Sequence, residues 1–403
     1  MPTNRPDCPL KVLITNIWLA GRGGTETVVR DLALGLLARG HLPVVYTPEI
    51  GATGEEIRAR GIPVLDDIRL VAEQPDIIHG HHLVPTAEAI IQFPGAPAIS
   101  VCHAWVHWVE APACFPQVQT YVAVDEACRQ RILHTGGIDI ERVITIPNSV
   151  DLNRVPTRPA PLNPKPRRAL AFTKTSAQLP AIRSACEKRG IALDALGSGV
   201  GRFVAHPELE LVQYDLVFAT ARSALEAICA GCAVVVCDGR GLSEMVTLEN
   251  FHRLRDLNFG LRSLVHPVTA ERLAAEIDKY DAADAAAAAA LASKEASFDV
   301  MLDRYLEVYG QAIGRAREHP WTTAGHSRAL AAFLHNSLPR RLSDGRWPWL
   351  PERDHLLAQI ANADRRLAQS EAELARLREQ VETLKRGTIE PATPAATRGQ
   401  TEG

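Results

Sequence analysis

The chain carries almost no charge imbalance and no long apolar run. Its 44 Lys and Arg stand against 47 Asp and Glu, a formal net charge of -3. That balance argues against a general nucleic-acid binder, which needs a basic excess. No apolar stretch approaches the roughly 20 residues that span a bilayer, so membrane contact is expected to be at most peripheral. The N-terminal stretch MPTNRPDCPLKVLITN lacks the apolar core and small-residue cleavage site of a signal peptide. The expected location is therefore cytoplasmic, at most peripheral at the inner membrane surface. The eight cysteines are scattered through strand- and helix-like segments. Such scatter fits reduced thiols rather than a disulfide framework.

What is present is organised around residues 222–244, RSALEAICAGCAVVVCDGRGLSE. Ser223 reads as an N-cap, and a short small-residue helix follows and stops at Gly231. Residues 233–237 form a continuous apolar run, and residues 216–219 form another before the helix, as doubly buried strands do. Strand, tight turn, helix and strand make a βαβ unit, whose first turn is where open parallel sheets bind ligands. Glu226 lies in a helix that is otherwise small and apolar. A carboxylate there answers the helix dipole or reaches a ligand hydroxyl. Cys229 and Cys232 form a CxxC at the helix C-terminus, where the dipole disfavours thiolates, so packing is their expected role.

Ahead of this unit, residues 11–17 read as a first parallel strand. The glycine loop with Gly23 and Gly24 follows, then a helix to Gly40. This order lets backbone N–H groups approach an anion or sugar. Thr25 and Glu26 are expected to cap the helix. Residues 76–82 form a strand ending in His79, His81 and His82. The set invites a metal reading, but no fourth ligand is evident nearby. Residues 98–103 form a strand ending in His103, and Trp105 and Trp108 lie beyond it. Aromatic faces of this kind can stack on carbohydrate, but two tryptophans in a loop more often anchor it to the core, which is the expectation here. Residues 156–166, PTRPAPLNPKP, read as a stiff connector. A strand over 169–173 then leads to Lys174, and a glycine turn runs from Gly197 to Gly201. Thr269 reads as the cap of a surface helix, and residues 298–317 as a last amphipathic helix. Ile360, Leu367, Leu374 and Val381 recur every seven residues, with a second row from Leu356 to Leu384. Those rows predict a coiled coil and a homo-oligomer through residues 356–384. The tail from residue 387 reads as disordered.

The segment from Glu226 to Val236, with Gly239 to Glu244 after it, resembles the donor segment of family-4 glycosyltransferases. The run GGTE and the segment VITIPNSVD resemble that family's opening loop and interdomain strand. The resemblance implies a GT-B fold, α/β, with two Rossmann-like domains facing a cleft and a helical coiled-coil extension appended. The expected divisions are a first domain over 1–155, a linker over 156–166 and a donor-binding domain over 167–297. A crossover helix over 298–318, a connector over 319–351, a coiled coil over 352–386 and a tail complete the chain. The implied activity is metal-independent transfer of a sugar, with retention, from a nucleotide-diphosphate sugar to a glycan, lipid or protein acceptor, without a separate cofactor. On this reading His103 orients the sugar, Lys174 faces the diphosphate with Arg222 in support, and Glu226 holds the ribose. Gly23, Gly24, Gly197, Gly241 and Glu244 line the donor site. The family's first glutamate would fall at Phe218, and a second diphosphate cation beyond Lys174 is missing. Those departures keep two other readings open: a non-catalytic sugar- or nucleotide-binding scaffold, and a sugar-nucleotide epimerase of similar fold.

Overall fold

The computed structural model describes residues 8–21, 23–156, 158–173, 175–202, 204, 207–337, 370, 373–374 and 376–377. Met1–Ala331 form one compact unit and Ala332–Gly403 a second. In the second unit the described residues, the end of the last helix together with Ser370, Glu373, Leu374, Arg376 and Leu377, are helical. The rest of the expected coiled coil and the tail lie outside the described residues.

The first unit holds two sheets. Strands β1 (Lys11–Thr15), β2 (Leu42–Tyr46), β3 (Val64–Leu65), β4 (Ile77–His81), β5 (Ala98–Cys102), β6 (Val118–Ala123) and β7 (Val143–Thr145) form the first. Their order is β3-β2-β1-β4-β5-β6-β7, and all neighbours are parallel. Helices α1 (Gly24–Ala38), α2 (Ala52–Arg58), α3 (Leu83–Gln92) and α4 (Glu126–His134) connect them. Strands β4, β5 and β6 are buried along their whole length. Burial on both faces removes the apolar–polar alternation, and it takes in the polar members too: His79 and His81 of β4, Ser100 of β5, and Gln119 and Thr120 of β6.

The second sheet comprises β8 (Arg168–Phe172), β9 (Ala192–Leu196), β10 (Leu216–Ala219), β11 (Ala233–Asp238) and β12 (Gly241–Met245), with α5 (Leu179–Glu187), α6 (Pro207–Leu211) and α7 (Ala221–Cys229) between strands. Its order is β12-β11-β10-β8-β9, and only the β11–β12 pairing is antiparallel. Alternate residues serve opposite faces. Val217, Val234 and Val236 join one apolar cluster with α7, whereas Leu216, Phe218 and Val235 join another with α5. These are two Rossmann-like domains of the GT-B kind.

Helices α8 (Phe251–Asp256), α9 (Ala270–Ile277) and α10 (Ala282–Glu295) follow. Helix α11 (Phe298–Glu318) then packs on the first sheet: Tyr305 and Tyr309 are fully buried, and Gly35 of α1 leaves room for Phe298 and Leu302. Helix α12 (Thr323–Ser337) begins against the same domain through a hydrogen bond between Gln117 and His326 at 2.6 Å.

One local expectation is corrected. Helix α7 starts at Ala221 with Thr220 as its N-cap, not at Ser223, because β10 ends only one residue earlier. In the proline-rich connector, Arg158 donates to the carbonyls of Val212 and Tyr214 at 3.0 and 2.8 Å and so ties it to the second domain.

Candidate functional site

In each sheet the strand order reverses at one place, between β1 and β4 and between β8 and β10. A crevice opens beyond the carboxyl ends of the strands at such a reversal. In both, the strand-to-helix turn carries a non-glycine residue at positive φ: His82 (65°) after β4 and Ala221 (52°) after β10. A left-handed conformation costs an L-residue about 1–2 kcal/mol, so the surrounding structure must impose it. At Ala221 the imposing contact is visible. Its N–H donates to the carbonyl of Phe259 at 2.8 Å, and Asn258 and Phe259 are themselves at positive φ.

Arg222 and Glu226 lie one turn apart on α7, and Arg222 Nε donates to Glu226 Oε1 at 2.9 Å. The same guanidinium reaches Asp31 of α1 at 3.0 Å, linking the two domains. Asp31 is buried and also receives Arg30 at 2.8 Å and Arg154 at 3.3 Å. Burial works against the Arg222 charge, but Glu226 and Asp31 outweigh it and hold the guanidinium above its ordinary pKa. Sequence reasoning missed Asp31, which reads locally as one more polar residue on a helix.

The turns beyond β8, β9 and β11 gather beside α7. Gly197 (φ 118°) lies against the Thr173 backbone so closely that a Cβ would collide with the Thr173 carbonyl oxygen. Gly239 N–H donates to Thr175 Oγ1 at 3.2 Å, and Thr175 bonds Gln178 at 2.9 Å. Lys174, between Thr173 and Thr175, lies outside the described residues. Asp238, at the end of β11, takes a hydrogen bond from Thr220 at 3.3 Å. Burial would raise its pKa, but Arg240 outweighs that and lowers it. It is a second acid that the sequence reading did not single out. Gly241 and Glu244 stand apart from this group. Gly241 packs against Leu264 and His266, and Glu244 pairs with Arg253 and Asn250. Glu244 lines a separate cavity of about 340 Å³ with Thr247, Glu249 and Lys279. Phe218 is 1% exposed within β10, so no carboxylate stands in the position of the first glutamate.

On the first-domain side, the Glu26 carboxylate caps α1. It accepts from Gly21 N–H at 2.6 Å and from Gly23 N–H. The amides that would receive an anion near Gly23 are thus already engaged by a side chain, whereas Gly24 is open on its Cβ side. Beyond β4 and β5 a histidine cluster forms. His81 Nδ1 and His103 Nε2 share a hydrogen bond at 2.7 Å, and His79 stacks on His81 with centroids 4.6 Å apart. His79 Nδ1 and the Tyr309 hydroxyl share a bond at 2.5 Å. Glu110 accepts from the His103 N–H at 2.8 Å and lies 3.3 Å from His82. Burial lowers the His79 pKa to about 3 and that of His103 to about 4, and drives His81 down as well. The cluster is therefore neutral at ordinary pH. His81 Nε2 is buried without a hydrogen-bond partner among the described residues. A bare lone pair there costs less than an orphaned N–H. That preference puts the His81 proton on Nδ1, leaves His103 Nε2 as acceptor, and gives His103 an Nδ1–H to donate. Among the described residues no three His, Cys, Asp or Glu converge as a metal-binding group. Burial pushes the Cys229 and Cys232 thiols up to about 12, in keeping with packing.

The family model described as Glycosyltransferase Family 4 matches residues 22–154. Among solved structures, the chain is similar to a glycosyltransferase from Rickettsia africae ESF-5, with 14% identity, a TM-score of 0.54, and coverage of 76% of this chain and 99% of that one. It is also similar to the lipopolysaccharide outer core galactosyltransferase WaaB, at 12% identity, TM-score 0.49 and coverage of 75% and 100%. A putative UDP-N-acetylglucosamine 2-epimerase from Listeria monocytogenes gives 14% identity, TM-score 0.48 and coverage of 77% and 97%. A comparison with curated proteins finds no match. The family-model match covers the first domain, and the likeness to the Rickettsia africae structure is one of GT-B fold.

Proposed function

We propose that the chain moves a sugar from a nucleotide-diphosphate donor to an acceptor, with retention and without a metal. The observation that carries this reading is the pair of strained strand-to-helix turns, at His82 and Ala221, one at each sheet reversal. Glu226 is partly exposed on the second-domain side, with Oε1 engaged by Arg222, and its Oε2 accepts from the ribose hydroxyls. Arg222 and Lys174 supply positive charge for the leaving diphosphate, an electrostatic role that needs no proton transfer by the protein. His103, held by His81, presents an N–H to the transferred sugar. The leaving phosphate then takes the acceptor proton on the same face.

A non-catalytic binding role is the second reading, favoured by the buried Phe218 where the family carries an acid. Incubating the purified chain with a panel of nucleotide sugars and following nucleotide release separates the two. Slow hydrolysis of one donor supports turnover, and binding without release supports the second reading.

A further inference from the structure

The loop after β5 exposes aromatic surface where a folded chain would ordinarily bury it. Trp105 is 47% exposed, Val106 80% and Trp108 63%. The two indoles therefore do not anchor the loop to the core as the sequence suggests. The loop is nevertheless fixed. Arg131 Nη1 donates to the carbonyls of Ala104 and Trp105 at 2.7 and 2.6 Å, and the buried Glu110 holds the His103 N–H at its start. The backbone is tied from the protein side while the rings face outward, so binding there loses little conformational freedom.

The surroundings of the rings are polar. The Arg262 guanidinium of the second domain lies over one face of the Trp105 ring, 5.6 Å from its centroid, and donates to Gln130 at 2.7 Å, so Trp105 offers its other face. His107 meets Trp18 edge-on at 6.5 Å, and Trp18 in turn lies 5.7 Å from His82. Aromatic faces edged by hydrogen-bonding groups match a pyranose, which has an apolar C–H face and a rim of hydroxyls. A bilayer-inserting tip would need continuous aliphatic surface, and within this loop Val106 is the one exposed aliphatic side chain.

We propose that Trp105 and Trp108 form a stacking platform for a saccharide, so that the acceptor of the reaction is a glycan. This rests on the glycosyl-transfer reading and narrows it, since the loop begins at His103.

The test titrates maltotriose, cellotriose and chitotriose into the full chain, followed by tryptophan fluorescence, and titrates uridine diphosphate and guanosine diphosphate separately by calorimetry. At least one trisaccharide should bind, with at least tenfold weaker binding in Trp108→Ala and Trp105→Ala and partial retention in Trp108→Tyr. Binding that persists in both alanine variants overturns the platform, as does no binding by any of the three sugars. Sedimentation with vesicles of phosphatidylcholine and phosphatidylglycerol that is lost in the same variants overturns it too, since the tip would then be a membrane contact. The nucleotide titrations test the donor reading alone. Failure with uridine diphosphate and with guanosine diphosphate alike, while saccharide binding stays intact, removes the donor reading and leaves the platform standing.

Discussion

At the residue scale, Ala221 is the clearest anomaly. Glycine adopts a φ of 52° without steric cost, and alanine does not. Ala221→Gly should therefore stabilise the chain by about 0.5–1 kcal/mol, once the looser unfolded state of glycine is subtracted. Thermal unfolding would show a rise in midpoint of about 1 °C, and a fall would mean that the turn is not strained. The histidine cluster makes a second residue-scale prediction. His79, His81 and His103 all have folded pKa values below the unfolded value near 6.5, because burial disfavours their charged forms. Between pH 6.5 and about 4 the unfolded chain then binds more protons than the folded one. Their contribution is present in full above pH 6.5 and is lost as the pH falls through that window. By pH 5 the loss is on the order of 2 kcal/mol for each histidine that stays neutral. Urea midpoints should drop steeply from pH 7.5 to 5, and should drop less in a His79→Phe variant. Equal slopes would place the acid sensitivity elsewhere.

At the scale of elements, the sequence made the parallel strands and most helices plain, but not the antiparallel strand β12. The fully buried strand β10 is an unbroken apolar run, and α7 stops at Gly231, whose φ is 77°. The N-terminus of α7 was misplaced because Thr220 and Ser223 are equally good caps locally, and only the end of β10 chooses between them. Trp105 and Trp108 were misjudged because apolar composition predicts burial, while the tie from Arg131 that holds their loop joins residues far apart in sequence. The turn at Gly197 gives the element-scale prediction. Gly197→Ala would drive a Cβ into the Thr173 carbonyl at a φ of 118° that alanine does not tolerate. It should cost about 2 kcal/mol or more of stability and weaken nucleotide-diphosphate binding, since the turn braces Thr173 beyond the end of β8. Calorimetric unfolding and a nucleotide titration on the variant check both parts. Unchanged affinity would separate this turn from the donor site.

For the whole molecule, the contacts that join the two domains were the least legible. Asp31 and Arg222 are 191 positions apart, and nothing in either local sequence announces the pair. Their meeting depends on how two independently patterned sheets dock. By contrast, His103 and Glu226 could be singled out because each sits in a stretch whose pattern is local, a strand end and a strand-turn-helix. The structure adds what holds them: His81 behind His103, and the Arg222–Asp31 pair beside Glu226. The account therefore stands or falls on whether the α7 face receives the nucleotide. The most direct measurement is calorimetric titration of uridine and guanosine diphosphates into the full chain and into Glu226→Ala and Glu226→Gln. A charge-assisted bond to ribose is worth about 1.5–3 kcal/mol, so Glu226→Ala should bind the preferred nucleotide at least tenfold more weakly, with Glu226→Gln in between. Equal affinity in all three proteins, with their folding intact, would show that Glu226 merely pairs with Arg222 and that the donor lies elsewhere.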